Sequence, residues 1–340
     1  YIDTGSFALN RIVSGDYRKG IPVGRITALA GEPSTGKSYI CARIIKNAIK
    51  DGFFVYLIDT ENAYDEDKLK NDGIDTEQIF FEREAGTITD VKNICIPRIR
   101  AIKAEAPDAK ILVVIDSLAA LATEKQLVDD IDNNKVGHDQ GMKAKDMKLL
   151  ATVLGQETIR NKLTVVVTNH IYLKPGANPS IPPEQCFTGG SGFVYWSSVI
   201  VYLAKKQEKE DYEDAKKTDF SEKAKIVRPK GMFIFATTKK NRFIPEGHLA
   251  EIYINFERGL SKFYGIAEDA VEFGYIEKVH GGALIKATGK KVKTAEIYKS
   301  ENWTFFDELA DKVYNKLKFK PTQQLEDELI NLPSEIKDDE

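Results

Sequence analysis

The 340-residue chain is 42% apolar and 30% charged, with a formal net charge of −3; such a chain buries a full core and divides into about two domains. This balance excludes a globally basic polyanion binder, so any nucleic-acid site has to be local. Cys41, Cys95 and Cys186 stand apart and histidines are few, which suits a reducing compartment and argues against a Cys- or His-built metal site; no run reaches the roughly eighteen apolar residues of a membrane span, and no signal peptide is visible.

Taken in order, residues 1–24 read as a turn-rich lead into a short buried strand over Arg25–Ala30. Tyr39–Ile49 has the spacing of an amphipathic helix, and Phe53–Asp59 is a nearly continuous apolar run, the mark of a buried parallel strand. A short charged helix follows over 65–72, then a strand at Ile79–Phe81. Thr87 to about Ala104 is helical, with Pro97 predicting a kink or a stop near Ile96. Lys110–Asp116 is the clearest strand. Asp129–Gln140 reads as a mobile polar loop, Met142–Arg160 as a long helix and Leu163–Thr168 as the next strand.

Ile171–Gly192, with its prolines and glycines, is a connection of a length that is usually functional or disordered. Phe193–Ala204 and Met232–Thr238 are β-rich, and the charged stretch 205–229 between them reads as a solvated hairpin extension. His248–Phe256 is a last strand of the first unit. These elements predict an α/β fold with a mostly parallel, doubly wound sheet and β-strands added on one side, spanning residues 1–260. From about 261 to 320 the texture changes to a small α+β module: a helix over Phe263–Phe273, a β-turn-β element over Tyr275–Ala287 and a helix over Trp303–Leu317. Residues 321–340 form an acidic, poorly structured tail.

The stretch Gly31-Glu32-Pro33-Ser34-Thr35-Gly36-Lys37-Ser38 fits the P-loop pattern G-x-x-x-x-G-K-[ST] between a strand and a helix. Glycines let the backbone turn so that N–H groups cradle phosphate oxygens at a helix N-terminus; Lys37 reaches the β- and γ-phosphates, and the Ser38 hydroxyl sits on Mg²⁺. ATP and Mg²⁺ are the cofactors this predicts. Asp116, ending a hydrophobic strand, is the partner carboxylate that holds the metal through water or Ser38. Glu61 is the general base favoured by spacing, on the expectation that its strand lies beside the P-loop strand; Asp59 is the alternative. Asn169-His170 at the next strand end is placed to sense the γ-phosphate, or His170 is simply a satisfied surface group. For DNA, the loops 129–141 and 171–192, with Lys143, Lys145 and Lys148 beside them and Phe187 as an aromatic, fit single-strand recognition; variable surface loops are the plain alternative.

Gly31–Ser38, Leu57–Asp65, Val114–Leu121, Thr168–His170, Thr188-Gly189-Gly190 and Phe263-Tyr264-Gly265 occur in the order seen in RecA-type recombinases, and the chain most resembles the UvsX recombinases of tailed phages, from about Thr4 to Gly282. The resemblance implies a RecA-like P-loop NTPase core and assigns the base to Glu61. It implies a first DNA-binding loop over Val136-Gly137-His138 to Lys143 and a second over Ile171–Gly192. It also implies a helical homo-oligomeric filament on single-stranded DNA, pairing with homologous duplex DNA and exchanging strands. Lys240 and Arg242, in Lys239-Lys240-Asn241-Arg242, resemble the cations that reach a neighbour's γ-phosphate, and Tyr264 resembles an aromatic packed near adenine.

His170 stands where RecA has glutamine, as in phage members. The family's N-terminal docking helix and strand have no counterpart before Tyr1, so the expectation is that a segment is missing there. The setting expected is cytoplasmic, in the host cell if the chain is phage-encoded. A mediator protein and a single-strand-binding protein are further candidate partners. The rival functions are a ring helicase of the same core and a non-catalytic mediator paralogue; intact Lys37, Glu61 and Asp116 argue against the latter.

Overall fold

Six apolar runs lie side by side in parallel in the computed structural model, which describes residues 1–131, 140–174, 184–206 and 231–318. They are β1 (Ile26–Gly31), β2 (Phe53–Asp59), β3 (Ile79–Glu82), β4 (Lys110–Asp116), β5 (Thr164–Asn169) and β8 (Val199–Lys206). Strands β9 (Gly231–Asn241), β10 (Leu249–Asn255) and β11 (Gly259–Leu260) continue the sheet antiparallel on one side, giving the order β11-β10-β9-β8-β1-β5-β4-β2-β3. This is the RecA-like α/β fold, with the antiparallel strands on one side as the sequence predicts. The strand order corrects one expectation. β2 does not lie beside β1, because β5 and β4 stand between them.

Both faces of the sheet are covered, which is why its central strands read as apolar runs rather than alternations. On one face Leu29, Leu57 and Val114 pack with α1 (Phe7–Ser14) and α2 (Lys37–Lys50); on the other, Ala28, Tyr56 and Ile115 pack with α5 (Ile96–Glu105) and α7 (Gln140–Arg160). Helix α1 falls in the lead that was expected to be turns. Ser6 accepts a hydrogen bond from the Leu9 N–H, Gly15 closes the helix in the left-handed region, and Phe7, Leu9, Ile12 and Val13 are buried. The irregularity expected near Ile96 takes the form of a π-helical turn over Val91–Cys95, which joins α4 (Ile88–Asp90) to α5 just before Pro97, so the helix does not stop there.

Other boundaries also move. Asp129–Ile131, expected in a loop, end helix α6 (Glu124–Ile131). The connection 171–192 has structure: β6 (Ile171–Lys174) pairs antiparallel with β7 (Glu184–Phe187), and α8 begins at Gly192 and runs to Trp196, inside a stretch expected to be strand. Helix α3 (Glu66–Asn71) is as expected. The charged segment over 207–229 and the acidic tail lie outside the described residues.

After β11 come α9 (Ala267–Glu272), a three-stranded sheet of β12 (Ile276–Val279), β13 (Gly282–Ile285) and β14 (Lys290–Lys293), and α10 (Phe306–Leu317). β14 is an addition to the predicted β-turn-β element. The core is continuous with the large sheet: Phe7 of α1 stacks on Phe306 at 4.3 Å between ring centroids, and Phe263 stacks on Trp303 at 5.7 Å. Such aromatic pairs contribute beyond their buried area.

Candidate nucleotide site

The parallel strands end along one edge of the sheet, where ligands gather in open α/β folds. β1 delivers the P-loop there. Gly31 has to be glycine, because a Cβ would stand 2.5 Å from the Leu203 carbonyl and 2.7 Å from Thr35 Oγ1. Gly36, at φ 81°, takes the N-cap position of α2 and has no side chain to cap it, so first-turn amides of a 14-residue helix are left for an anion. Ser34 also has positive φ, at 62°, and the buried Thr35 hydroxyl donates to the Glu32 carbonyl at 2.8 Å. Glu32 and Pro33 form the exposed crest of the loop. The Lys37 ammonium donates to the carbonyls of Gly31 (3.1 Å) and Glu32 (2.8 Å). Burial pushes its pKa down, while Asp116 and Glu61 oppose that shift.

Asp116 is 1% exposed and accepts two hydroxyls, from Thr168 on Oδ1 and from Tyr64 on Oδ2 at 2.8 Å. The Tyr64 hydroxyl also lies 3.5 Å from the Ser38 carbonyl, which ties Asp116 to the start of α2. Burial, then the charges of Cys41 and Asp116, push the tyrosine pKa well up, so it remains a donor.

Asp59 and Asp116 are paired in register across β2 and β4, and this places the residues that follow each of them side by side. The Ser117 hydroxyl donates to Glu61 Oε1, and His170 Nε2 lies 3.4 Å from the same oxygen. Oε2 has no partner among the described residues. Glu61 is therefore reached across three strand ends, β5, β4 and β2, rather than from a strand next to β1. Of the strands that carry candidate catalytic residues, β5 ends beside the P-loop, since Ala30 is in register with Asn169. Asp59 is buried, and its two oxygens accept the backbone N–H groups of Ala63 (2.9 Å) and Tyr64 (3.2 Å), so it holds the turn that carries Glu61.

His170 leads directly into the second candidate DNA loop. Its carbonyl accepts the Thr188 N–H at 3.2 Å, and Asn169 Nδ2 donates to the Thr188 carbonyl at 2.7 Å. Gly189 and Gly190 follow with positive φ and pack on Met147 and Ala144 of α7. Phe187, expected as a stacking aromatic, is buried at 6% exposure in the core below, because the hairpin pairs it with Ile171; the exposed ring of the hairpin is Tyr172, at 53%. Lys143 is turned inward onto the Ala119 carbonyl at 2.9 Å, and burial lowers its pKa; Lys145 and Lys148 are exposed. Gly137 and His138 lie outside the described residues.

Lys240 and Arg242 stand toward the amino-terminal edge of the sheet, away from the P-loop. β9 runs antiparallel, so Lys240 pairs with Ile200 near the start of β8, at the edge opposite the P-loop. Lys240 Nζ donates to the carbonyls of Val194 (2.7 Å) and Tyr195 (2.8 Å), and Arg242 Nη2 donates to Tyr195 at 3.0 Å. Tyr264 packs with Phe233, Tyr253 and Tyr298 at centroid distances of 5.6, 5.5 and 4.5 Å. Side chains alternate along β9, and Met232, Ile234 and Ile254 border Gly36, so Phe233, Tyr253 and Tyr264 lie on the opposite face of β9 and β10 from the P-loop, not beside it as expected for Tyr264.

Thr168, Tyr64 and Ser117 are the site residues that sequence reasoning missed. Thr168 and Ser117 stand within two residues of positions that were singled out, and strand period alone marks Thr168 as sharing a sheet face with His170.

A P-loop followed by carboxylates on neighbouring strand ends defines a P-loop nucleotide-binding protein of RecA-like topology. Residues 1–248 match the RecA N-terminal domain family, and the chain belongs to that family. Over its whole length it is similar to Protein RecA of Helicobacter hepaticus, with 27% identity covering 100% of this chain and 89% of the relative. It is similar also to Protein RecA of a Nocardioides species, with 26% identity covering 98% and 87% of the two chains.

Proposed function

We propose that this protein is a DNA-dependent ATPase that assembles head to tail on single-stranded DNA and promotes homologous pairing and strand exchange. The observation that carries this is the division of one site between two edges. The P-loop, Glu61, Asp116 and His170 share the carboxyl edge of the sheet, while Lys240 and Arg242 stand at the opposite edge. A chain cannot bring its own Lys240 to its own P-loop, so these cations act on the nucleotide of a neighbour.

Glu61 is the base. Ser117 and His170 hold one carboxylate oxygen and leave the other to polarise water for in-line attack. Ser38 and, through water, Asp116 would hold Mg²⁺; one carboxylate with a hydroxyl and substrate phosphates is the donor set this ion takes, and it neutralises β- and γ-phosphate charge. His170 joins Glu61 to Thr188, so DNA on the 171–192 loop reorients the base through two adjacent hydrogen bonds. Histidine at this position also supports a UvsX-like phage member.

Lys240→Ala is the test. Nucleotide titration is expected to remain near wild type, while the DNA-stimulated steady-state rate falls by roughly 10³-fold, in line with a cation supplied in trans. Equal loss of binding and turnover would remove the proposed role. Electron microscopy with ATP and single-stranded DNA distinguishes an open filament from a closed ring.

A further inference from the structure

Asp116 is a buried carboxylate without a paired cation. At 1% exposure it accepts two neutral hydroxyls, Thr168 on Oδ1 and Tyr64 on Oδ2, and it makes no ion pair among the described residues. The Lys37 ammonium acts on it only at a distance, because it donates to the Gly31 and Glu32 carbonyls. A buried charge in this state is completed by a cation or a metal, which fits Mg²⁺ at this strand end. Each carboxylate oxygen can accept two bonds, so the two hydroxyls leave both oxygens able to accept again.

The two donors differ in what holds them. Thr168 lies within β5, so the sheet itself fixes it. Tyr64 comes from the turn after β2, three residues beyond Glu61, and it is held at both ends. Its N–H donates to Asp59 Oδ2 at 3.2 Å, its carbonyl accepts Arg83 Nη2 at 3.0 Å, and its ring is buried in the core on the α2 face of the sheet. Of the two acceptors near its hydroxyl, Asp116 at 2.8 Å is much closer than the Ser38 carbonyl at 3.5 Å, so its single proton goes to the carboxylate. Turning the carboxylate away would leave this buried hydroxyl without its acceptor, which is costly.

We propose that Tyr64 is a positioning residue for the divalent cation: its hydroxyl fixes the Asp116 carboxylate that would hold the ion indirectly. This rests on Asp116 serving the metal, and it adds to that site a residue that acts only through the carboxylate. The turn that carries the base Glu61 thereby also orients the metal carboxylate, so one backbone segment, fixed by Asp59, serves both groups. Losing an outer-shell partner of this kind typically lowers metal affinity by about 10–100-fold.

Tyr64→Phe removes the hydroxyl and keeps the ring that fills the core. Mn²⁺ binding to the ADP complex, followed by electron paramagnetic resonance, is expected to weaken by about tenfold or more. ADP affinity measured in a chelator, without divalent cation, is expected to stay near wild type. Raising Mg²⁺ is expected to return the steady-state rate of the variant toward wild type, which a folding defect would not allow. Asp116→Asn is the reference: it also weakens Mn²⁺ binding, and adding Tyr64→Phe to it causes no further loss. Four results overturn the positioning role and leave Asp116 in place: unchanged Mn²⁺ affinity in Tyr64→Phe, an equal loss of metal-free ADP affinity, a rate that excess Mg²⁺ does not restore, or full additivity in the double variant. Unchanged Mn²⁺ affinity in Asp116→Asn overturns the metal role of Asp116 and this one with it.

Discussion

Asp59 and Glu61 are two residues apart on one turn, yet their surroundings give them opposite tasks. Asp59 is buried and spends both oxygens on backbone N–H groups, while Glu61 is partly exposed and its Oε2 has no partner among the described residues. Glu61→Gln is therefore expected to leave nucleotide affinity near wild type and lower the DNA-stimulated turnover by about 10²–10⁴-fold, the usual weight of a positioned base. Asp59→Asn acts through structure instead, since the turn that aims Glu61 loses a charged acceptor. Parallel nucleotide titration, turnover and melting measurements separate the two; a Glu61→Gln enzyme with normal turnover would remove the glutamate from the chemistry.

At the scale of elements, the β6–β7 hairpin decides which aromatic faces out. Side chains alternate across a strand, and the pairing of Phe187 with Ile171 turns that ring into the core while Tyr172, one residue along, is left outside. Phe187→Ala is expected to cost about 3–5 kcal/mol of stability, measured by denaturant unfolding. Tyr172→Ala, by contrast, leaves stability nearly unchanged and weakens single-strand binding by roughly 1–3 kcal/mol, the worth of one stacked base. A Phe187→Ala protein of full stability with weakened DNA binding would reverse the two roles.

Across the whole molecule, residues 261–318 are fastened to the core by aromatic stacking on Phe7 and by a polar junction. Arg11 of α1 pairs with Asp269 of α9 at 3.3 Å and donates to the Leu249 carbonyl at 2.8 Å, and the Tyr17 hydroxyl donates to Asp269. His248 lies against this junction with Nε2 buried and without a hydrogen-bond partner among the described residues. Burial, then the Arg11 charge, lowers its pKa, with Asp269 opposing. The unfolded chain therefore binds this proton at higher pH than the folded one, so the contribution is fully present above the unfolded value near 6.5 and is lost as pH falls below it. Thermal unfolding is expected to show stability declining between about pH 6.5 and 5.5, and His248→Gln is expected to flatten that decline. An unchanged pH slope in the variant would assign the acid sensitivity elsewhere.

The sequence by itself determined the local chemistry and the class of fold. A glycine pattern between strand and helix marks the P-loop because only that backbone presents amides to an anion, and uninterrupted apolar runs mark strands covered on both faces. It left α1 unread because its capping residues lie among other turn formers, and the hairpin unread because prolines and glycines mask two four-residue strands. The tertiary structure decided which strand ends meet. Strand order is set by long-range packing that local periodicity does not encode, so only the fold shows Glu61 reached through Ser117 and His170, Phe187 turned inward, and Lys240 at the edge opposite the P-loop it was matched with.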